Sequence, residues 1–146
     1  MIYYTYRKER ELPLKGVKMA LTNTISQLQV KDFYIEVLAQ AVSAYNDANF
    51  YTLNSLKDKS LCKAQTLYFV VNAIREDLII VNSGCGNIYA TDEATIAAFA
   101  LDLYDAYSRM LYNALYACTE ERRNVCKVQA EAYKNVIDAF NKIFDK

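Results

Sequence analysis

Hydrophobic residues recur at helical spacing in the last third of the chain. Steps of four and three residues alternate along one stripe, which comprises Ile96, Ala100, Leu103, Tyr107, Met110, Ala114 and Ala117. A second stripe has the same rhythm and comprises Cys126, Ala130, Tyr133, Ile137, Phe140 and Phe144. Such steps place side chains on one side of an α-helix. The pattern predicts two long helices, which the short polar turn at 119–124 makes antiparallel neighbours.

Two weaker stripes precede them. We expect the first helix to start near Thr22–Thr24 and to face the core with Ile25, Leu28, Ile35, Leu38, Val42 and Tyr45. We expect the second to run from about Asn54 to Glu76 and to bury Leu56, Ala64, Leu67, Val71, Ile74 and Leu78. Four amphipathic helices with short connections predict an all-α fold, an antiparallel four-helix bundle.

A glycine-containing loop separates the second and third helices. It reads Asn-Ser-Gly-Cys-Gly-Asn over residues 82–87, and β-prone residues flank it at Ile79–Val81 and Ile88–Tyr89. This pattern favours one small β-hairpin. The loop lacks the lysine and the spacing of a phosphate-binding P-loop, so we interpret it as a turn.

Residues 1–20 form a separate N-terminal arm, and residues 21–146 form the bundle. Pro13 and Gly16 interrupt any helix in the arm. The arm also concentrates aromatic and basic side chains, namely Tyr3, Tyr4, Tyr6, Arg7, Lys8 and Arg10. These residues can stack on bases and neutralise phosphate, anchor a protein partner, or pack on the bundle. The sequence leaves these three interpretations open.

Three tyrosines of the third helix lie off its main stripe. Tyr104, Tyr112 and Tyr116 are spaced by eight and four residues, so they share a second side of the helix. Tyrosine combines a large apolar ring with a polar hydroxyl and is enriched at interfaces. We therefore regard these three tyrosines, like the aromatic and basic residues of the arm, as candidate binding residues.

Composition supports the helical interpretation. The 146 residues include only three glycines and one proline, too few for the many turns of a β-protein. The formal net charge is zero, although residues 1–20 carry +3 and the remainder carries −3. Global charge therefore favours neither nucleic acid nor membrane as a partner.

Histidine is absent, which excludes Ser-His-Asp and Cys-His catalysis as well as histidine-containing metal sites in bundles. No pair of acids lies on a core stripe. We expect a non-enzymatic protein without cofactor or metal.

Four cysteines raise a separate question. Cys62, Cys85, Cys118 and Cys126 do not have the spacing of a zinc site. Cys118 and Cys126 flank the last turn, so a disulfide between them is one interpretation and a second bridge, Cys62–Cys85, is another. Buried free thiols are the alternative. Cys85, which lies between two glycines, is also the candidate for a reactive thiol. A thiol-dependent enzyme, the alternative function that the sequence favours least, would depend on this residue.

The beginning of the chain lacks the basic and apolar regions of a signal peptide, and no apolar run reaches the length of a membrane span. We expect an intracellular protein that does not bind membranes.

The tyrosine-rich, glycine-poor, histidine-free composition with intracellular cysteines resembles that of small proteins from viruses of hyperthermophilic archaea. In particular, the chain resembles the helical-bundle proteins of the Acidianus two-tailed virus, which include an inhibitor of the host RNA polymerase and virion components. The resemblance implies a thermostable viral protein that acts in the host cytoplasm by binding RNA polymerase and blocking transcription. The alternative is a virion structural or nucleic-acid-binding protein.

Overall fold

The computed structural model describes residues 25–51, 54–82 and 86–145. Within these ranges it forms four helices: α1 (Gln27–Phe50), α2 (Asn54–Asp77), α3 (Glu93–Leu115) and α4 (Glu120–Phe144). A β-hairpin lies between α2 and α3. The expected all-α bundle is confirmed. The N-terminal arm, with Tyr3, Tyr4, Tyr6, Arg7, Lys8 and Arg10, lies outside the described residues.

Contacts between helix ends give the direction of each helix. Gln29 near the start of α1 donates from Nε2 to the backbone oxygen of Ile143 at the end of α4, at 3.3 Å. Arg75 near the end of α2 donates from Nε to the hydroxyl of Tyr34 in α1, at 2.8 Å. Helix α1 is therefore antiparallel to both α2 and α4. Helix α3 is antiparallel to α4, because Tyr104 contacts Asn141 whereas Arg109, later in α3, lies near Tyr133, earlier in α4.

Two of the helices, α1 and α4, begin after a residue whose side chain accepts from an exposed backbone amide. The hydroxyl of Ser26 accepts from the amide of Gln29 at 3.1 Å, and the Gln29 side chain accepts from the Ser26 amide at 2.9 Å. This capping box starts α1 after Ser26, later than the Thr22–Thr24 start that the sequence predicts. Thr119 caps α4 in a similar way by accepting from the amide of Arg122.

An aromatic cluster centred on Phe33 joins three helices. Its ring meets Phe99 of α3 and both Phe140 and Phe144 of α4, with centroid distances of 6.1, 5.5 and 5.9 Å. All three contacts are edge-on, the arrangement that the quadrupoles of aromatic rings favour. Phe33 is fully buried. The cluster therefore packs α1 against both α3 and α4.

The predicted core face of α1 is wrong for most of its residues. Leu28, Ile35, Val42 and Tyr45 are between 42% and 64% exposed. The buried side of α1 consists of Val30, Phe33, Val37, Ala41, Ala44 and Ala48. These residues also recur at steps of three and four, so α1 has two apolar sides. The buried side contains three alanines, which allow close packing against the rest of the bundle.

The stripes of the other helices are confirmed with few exceptions. On α4 all six predicted residues are buried except Tyr133, which is half-buried. On α3 six of the seven residues lie within the helix and are buried or half-buried, and the seventh, the half-buried Ala117, follows the end of the helix. On α2, Leu56 is 42% exposed because it lies in the first turn, beyond the end of the core.

The hairpin consists of β1 (Ile79–Asn82) and β2 (Gly86–Tyr89), which pair antiparallel with Ile80 opposite Ile88. The predicted pairing is confirmed. Gly86 has a φ of +85°, a backbone conformation that glycine adopts without strain. The amide of Ala90 then donates to the backbone oxygen of Leu78 and returns the chain to the bundle.

Candidate protein-interaction surface

The three tyrosines predicted as binding residues on α3 fall into two environments. Tyr104 is half-buried and packs against the core, where its hydroxyl accepts a hydrogen bond from Nδ2 of Asn141 at 3.2 Å. Tyr112 and Tyr116 are 63% and 65% exposed. Their ring centroids lie 4.7 Å apart. The structure therefore brings Tyr112 and Tyr116 together on the surface and gives Tyr104 a contact within the fold.

Two leucines extend the tyrosine pair. Leu111 and Leu115 are 46% and 71% exposed and precede Tyr112 and Tyr116 by one residue each. We call these four residues the α3 terminal patch. The sequence contained the signal for it, since these residues repeat at a spacing of four on the side of α3 away from its main stripe.

A second exposed apolar surface covers α1. Leu28, Ile35, Val42 and Tyr45 are 64%, 50%, 42% and 47% exposed, and we call them the outer face of α1. Their spacing of seven, seven and three residues is the spacing of a helix–helix seam. The half-buried Leu38 and the small residues Ala39 and Ser43 line a shallow depression of about 510 Å³ beside them.

Acidic groups flank the outer face. Helix α1 contains Asp32, Glu36 and Asp47 but only one basic residue, Lys31. All four side chains are exposed. The outer face is therefore an apolar stripe on a helix of net negative charge.

Among the described residues, two of the grooves lie between helices of the bundle. One, of about 360 Å³, separates α2 from α3 and is floored by Val70, Phe99, Leu103 and Tyr133. We call it the α2–α3 groove. The other, of about 770 Å³, lies between α1, α2 and α4 and is lined by side chains of both charges. Lys63 and Glu131 approach to 3.8 Å across it. Its mixed charges do not select one class of ligand.

The predicted cysteine bridges are not formed. Cys62, Cys118 and Cys126 are free thiols. Cys118 lies exposed in the turn before α4, whereas Cys126 points into the core two helical turns later, about 10 Å further along the helix axis. The short turn therefore does not bring the two sulfur atoms together. Cys85 lies outside the described residues. Because Cys62 is a free thiol, it forms no disulfide with Cys85.

The cysteine environment differs from one thiol to the next. Burial raises the pKa of the Cys62 thiol, and the nearby Cys126 raises it further. A raised pKa keeps Cys62 protonated and weakens it as a nucleophile. Within the described ranges, no three Cys, Asp or Glu side chains come together as metal ligands.

Among the described helices, none combines the length and the apolar composition that a bilayer crossing requires. The sequence matches no protein-family model, and comparison with curated proteins and with solved structures also found no match. The function of the chain therefore has to be argued from its own surfaces.

Proposed function

We propose that the protein is a non-enzymatic binding module that recognises a partner protein through the outer face of α1. One observation carries the proposal: α1 is apolar on two opposite sides, and the core of the bundle uses only one of them. Leaving these four aliphatic or aromatic side chains at seam spacing in water has no benefit for folding, and contiguous exposed apolar surface is typical of interaction sites.

An amphipathic helix of the partner fits this face best. Seam-spaced apolar residues on an exposed helix accept the apolar stripe of a second helix packed at a small crossing angle. Asp32 and Glu36 lie beside the stripe, so a partner helix with basic flanks gains in association rate and orientation. A second copy of α1 would instead bring two negatively charged helices together.

We further propose, on the basis of the resemblance to archaeal viral proteins, that the partner is the RNA polymerase of the host and that binding inhibits transcription. The DNA channel of a polymerase is positively charged, and α1 combines a net negative charge with exposed apolar anchors. An inhibitor of this kind acts by occupying a surface and requires no catalytic group.

The test is a binding titration of the pure protein against purified archaeal RNA polymerase, followed by transcription in vitro. The diagnostic variant is Ile35→Gln with Val42→Gln, which removes the apolar seam without adding charge. The matched control is Leu111→Gln with Leu115→Gln, which removes two exposed aliphatic residues from the α3 terminal patch. We expect the α1 variant to lose about tenfold or more in affinity, since anchors at the centre of an interface dominate its binding energy.

The outcomes separate the two parts of the proposal. Binding that is lost in the α1 variant, with transcription inhibited only by the chains that bind, supports both parts. Absence of any binding to the polymerase overturns the inhibitor proposal. Retained affinity in the α1 variant and lost affinity in the control places the interface on the α3 terminal patch and overturns the proposal for α1.

A further inference from the structure

The side chains of the α3 terminal patch form two adjacent rows. Leu111 and Leu115 lie one turn apart on the outer side of α3, and Tyr112 and Tyr116 form the neighbouring row. The two tyrosine rings contact each other at a tilt of 43°, which limits the rotamers that each ring can adopt. Adjacent apolar rows of this kind leave a groove into which the side chains of a second helix pack.

Charged residues lie at both ends of the patch. Arg109 precedes it, and its side chain is 65% exposed even though Nη2 donates to Asp105 at 3.0 Å. Glu120 and Glu121 follow the patch as the first two residues of α4, and both are exposed. The patch therefore has a cation before its first residue and two carboxylates beyond its last residue.

This order of charges is self-complementary. A dimer with two-fold symmetry buries the same surface on both copies, so that surface has to match itself. When two α3 helices pack antiparallel through the patch, Arg109 of each copy lies beside Glu120 and Glu121 of the other, and this contact occurs twice. Parallel packing would instead place Arg109 beside Arg109. The charges therefore favour a second copy of the chain in the antiparallel orientation.

Net charge distinguishes this surface from the outer face of α1. Three acidic and three basic side chains balance around the α3 terminal patch, namely Asp105, Arg109, Glu120, Glu121, Arg122 and Arg123. Helix α1 has a net negative charge, which repels a second copy of the same helix. Of these two apolar surfaces, the α3 terminal patch is the one that suits self-association.

The size of the patch indicates how tightly two copies associate. An aromatic side chain buries roughly 150–250 Å², so four large side chains at their observed exposure, with the charged groups beside them, provide on the order of 500 Å² per copy. A standard stable interface buries about 800 Å² per partner. The dimer is therefore reversible, and we expect a dissociation constant on the order of micromolar or weaker.

We propose that the protein forms a two-fold symmetric dimer through the α3 terminal patch, with the two α3 helices antiparallel and Arg109 of each copy on Glu120 and Glu121 of the other. The dimer presents two copies of the outer face of α1. The inference uses no residue of that face, so its failure leaves the proposed protein-binding function intact, and failure of that function leaves the dimer intact.

Analytical ultracentrifugation of the purified chain over a series of concentrations tests the dimer. We expect the average mass of the wild type to rise from that of a monomer towards that of a dimer. Leu115→Gln removes the most exposed apolar side chain of the patch and should raise the dissociation constant of the dimer about tenfold. The matched control is Leu28→Gln, the same substitution at a leucine of α1 that is 64% exposed against 71% for Leu115, and it should leave the dissociation constant unchanged.

Two results of this experiment would overturn the proposal. The first is a wild-type chain that stays monomeric up to its limit of solubility. The second is a dimer that Leu28→Gln weakens and Leu115→Gln does not, because this pattern assigns self-association to the outer face of α1.

Charge reversal tests the orientation of the two copies. Arg109→Glu places like charges together at both ends of a two-fold interface and should raise the dissociation constant about tenfold at low salt. Adding Glu120→Arg and Glu121→Arg to the same chain restores opposite charges and should recover most of the wild-type affinity. Circular dichroism verifies that each variant is folded. A dimer that Arg109→Glu leaves unchanged or strengthens, or that the combined variant does not recover, overturns the antiparallel arrangement.

Discussion

Phe33 shows how a single side chain can hold three helices together. It is fully buried and contacts one phenylalanine of α3 and two of α4 through ring edges. Replacing it with alanine removes these contacts and leaves a cavity at the junction of the helices. We expect Phe33→Ala to lower the free energy of unfolding by about 3–5 kcal/mol.

Urea unfolding followed by circular dichroism measures this effect. Phe50→Ala is the matched control, since Phe50 is on the same helix but 85% exposed, and it should change the stability little. A small effect of Phe33→Ala, comparable with that of the control, would show that the aromatic cluster does not organise the core.

The three described cysteines should react with thiol reagents in a fixed order. Cys118 is exposed and should react first, and the buried Cys126 should react only after unfolding. Cys62 should be slower than Cys118 because burial, and then the neighbouring Cys126, raises its pKa and reduces its thiolate fraction. Its rate should rise with pH over a range shifted upward from that of an ordinary thiol. Iodoacetamide labelling with peptide mass spectrometry gives the order, which rapid labelling of Cys126 in the folded protein would contradict.

Tyr133 should make the fold sensitive to alkaline pH. Burial raises its pKa, and the positive charge of Arg109 opposes part of this shift. The unfolded chain therefore releases the phenolic proton at a lower pH than the folded chain. Stability is complete below the unfolded pKa of about 10 and decreases as the pH rises through the folded pKa.

The Tyr133→Phe variant removes this proton and should flatten the decrease in stability above about pH 10. The matched control is Tyr112→Phe, which removes an equivalent hydroxyl at a position that is 63% exposed. Thermal unfolding between neutral and alkaline pH compares the three chains. Identical profiles for all three would show that Tyr133 is not a source of the pH dependence.

At the scale of elements, the start of α1 depends on one capping box that also connects two helices. The side chain of Gln29 accepts from Ser26 and donates to Ile143 at the end of α4. Ser26→Ala removes the hydroxyl that caps the Gln29 amide and should cost about 1 kcal/mol. Ser43→Ala on the exposed surface of the same helix is the control and should be close to neutral. Chemical denaturation of both variants decides whether the cap contributes to the stability of the bundle.

Helix periodicity predicted three of the four buried helix faces and failed on α1 for a physical reason. The sequence of α1 contains two apolar stripes, and the outer one has the larger aliphatic residues Leu28, Ile35 and Val42. The buried stripe contains three alanines, which contribute little hydrophobicity but allow helices to approach closely. Periodicity alone therefore favoured the wrong side, and only the packing of the other helices identifies the core side.

The candidate surfaces were less accessible to sequence reasoning than the fold. Tyr112 and Tyr116 were identified from their spacing, whereas Tyr104 shares that spacing but contacts Asn141, 37 residues away in the chain. The cysteine bridges were inferred from proximity in sequence, but Cys126 points into the core from the second turn of α4. The environments of Tyr104 and Cys126 both depend on contacts between residues that are distant in sequence. A local sequence pattern carries no information about such contacts.

At the scale of the whole molecule, the bundle has an apolar face that its own fold does not use. Folding needs the Phe33 side of α1, and we propose that recognition uses the opposite side. A helix with this division of roles acts both as part of the core and as the exposed half of a helix–helix interface. Stability and the proposed binding then depend on opposite sides of the same helix, so mutations can separate them.

Site-specific photo-cross-linking tests this central claim most directly. A photoreactive phenylalanine analogue is placed at Ile35 on the outer face of α1 or, in a second chain, at Asn72 on the exposed side of α2, and each chain is irradiated with purified archaeal RNA polymerase. We expect a specific cross-link to one polymerase subunit from position 35 and none from position 72, with both chains as stable as the wild type. Equal cross-linking from the two positions, or none from position 35, would contradict it.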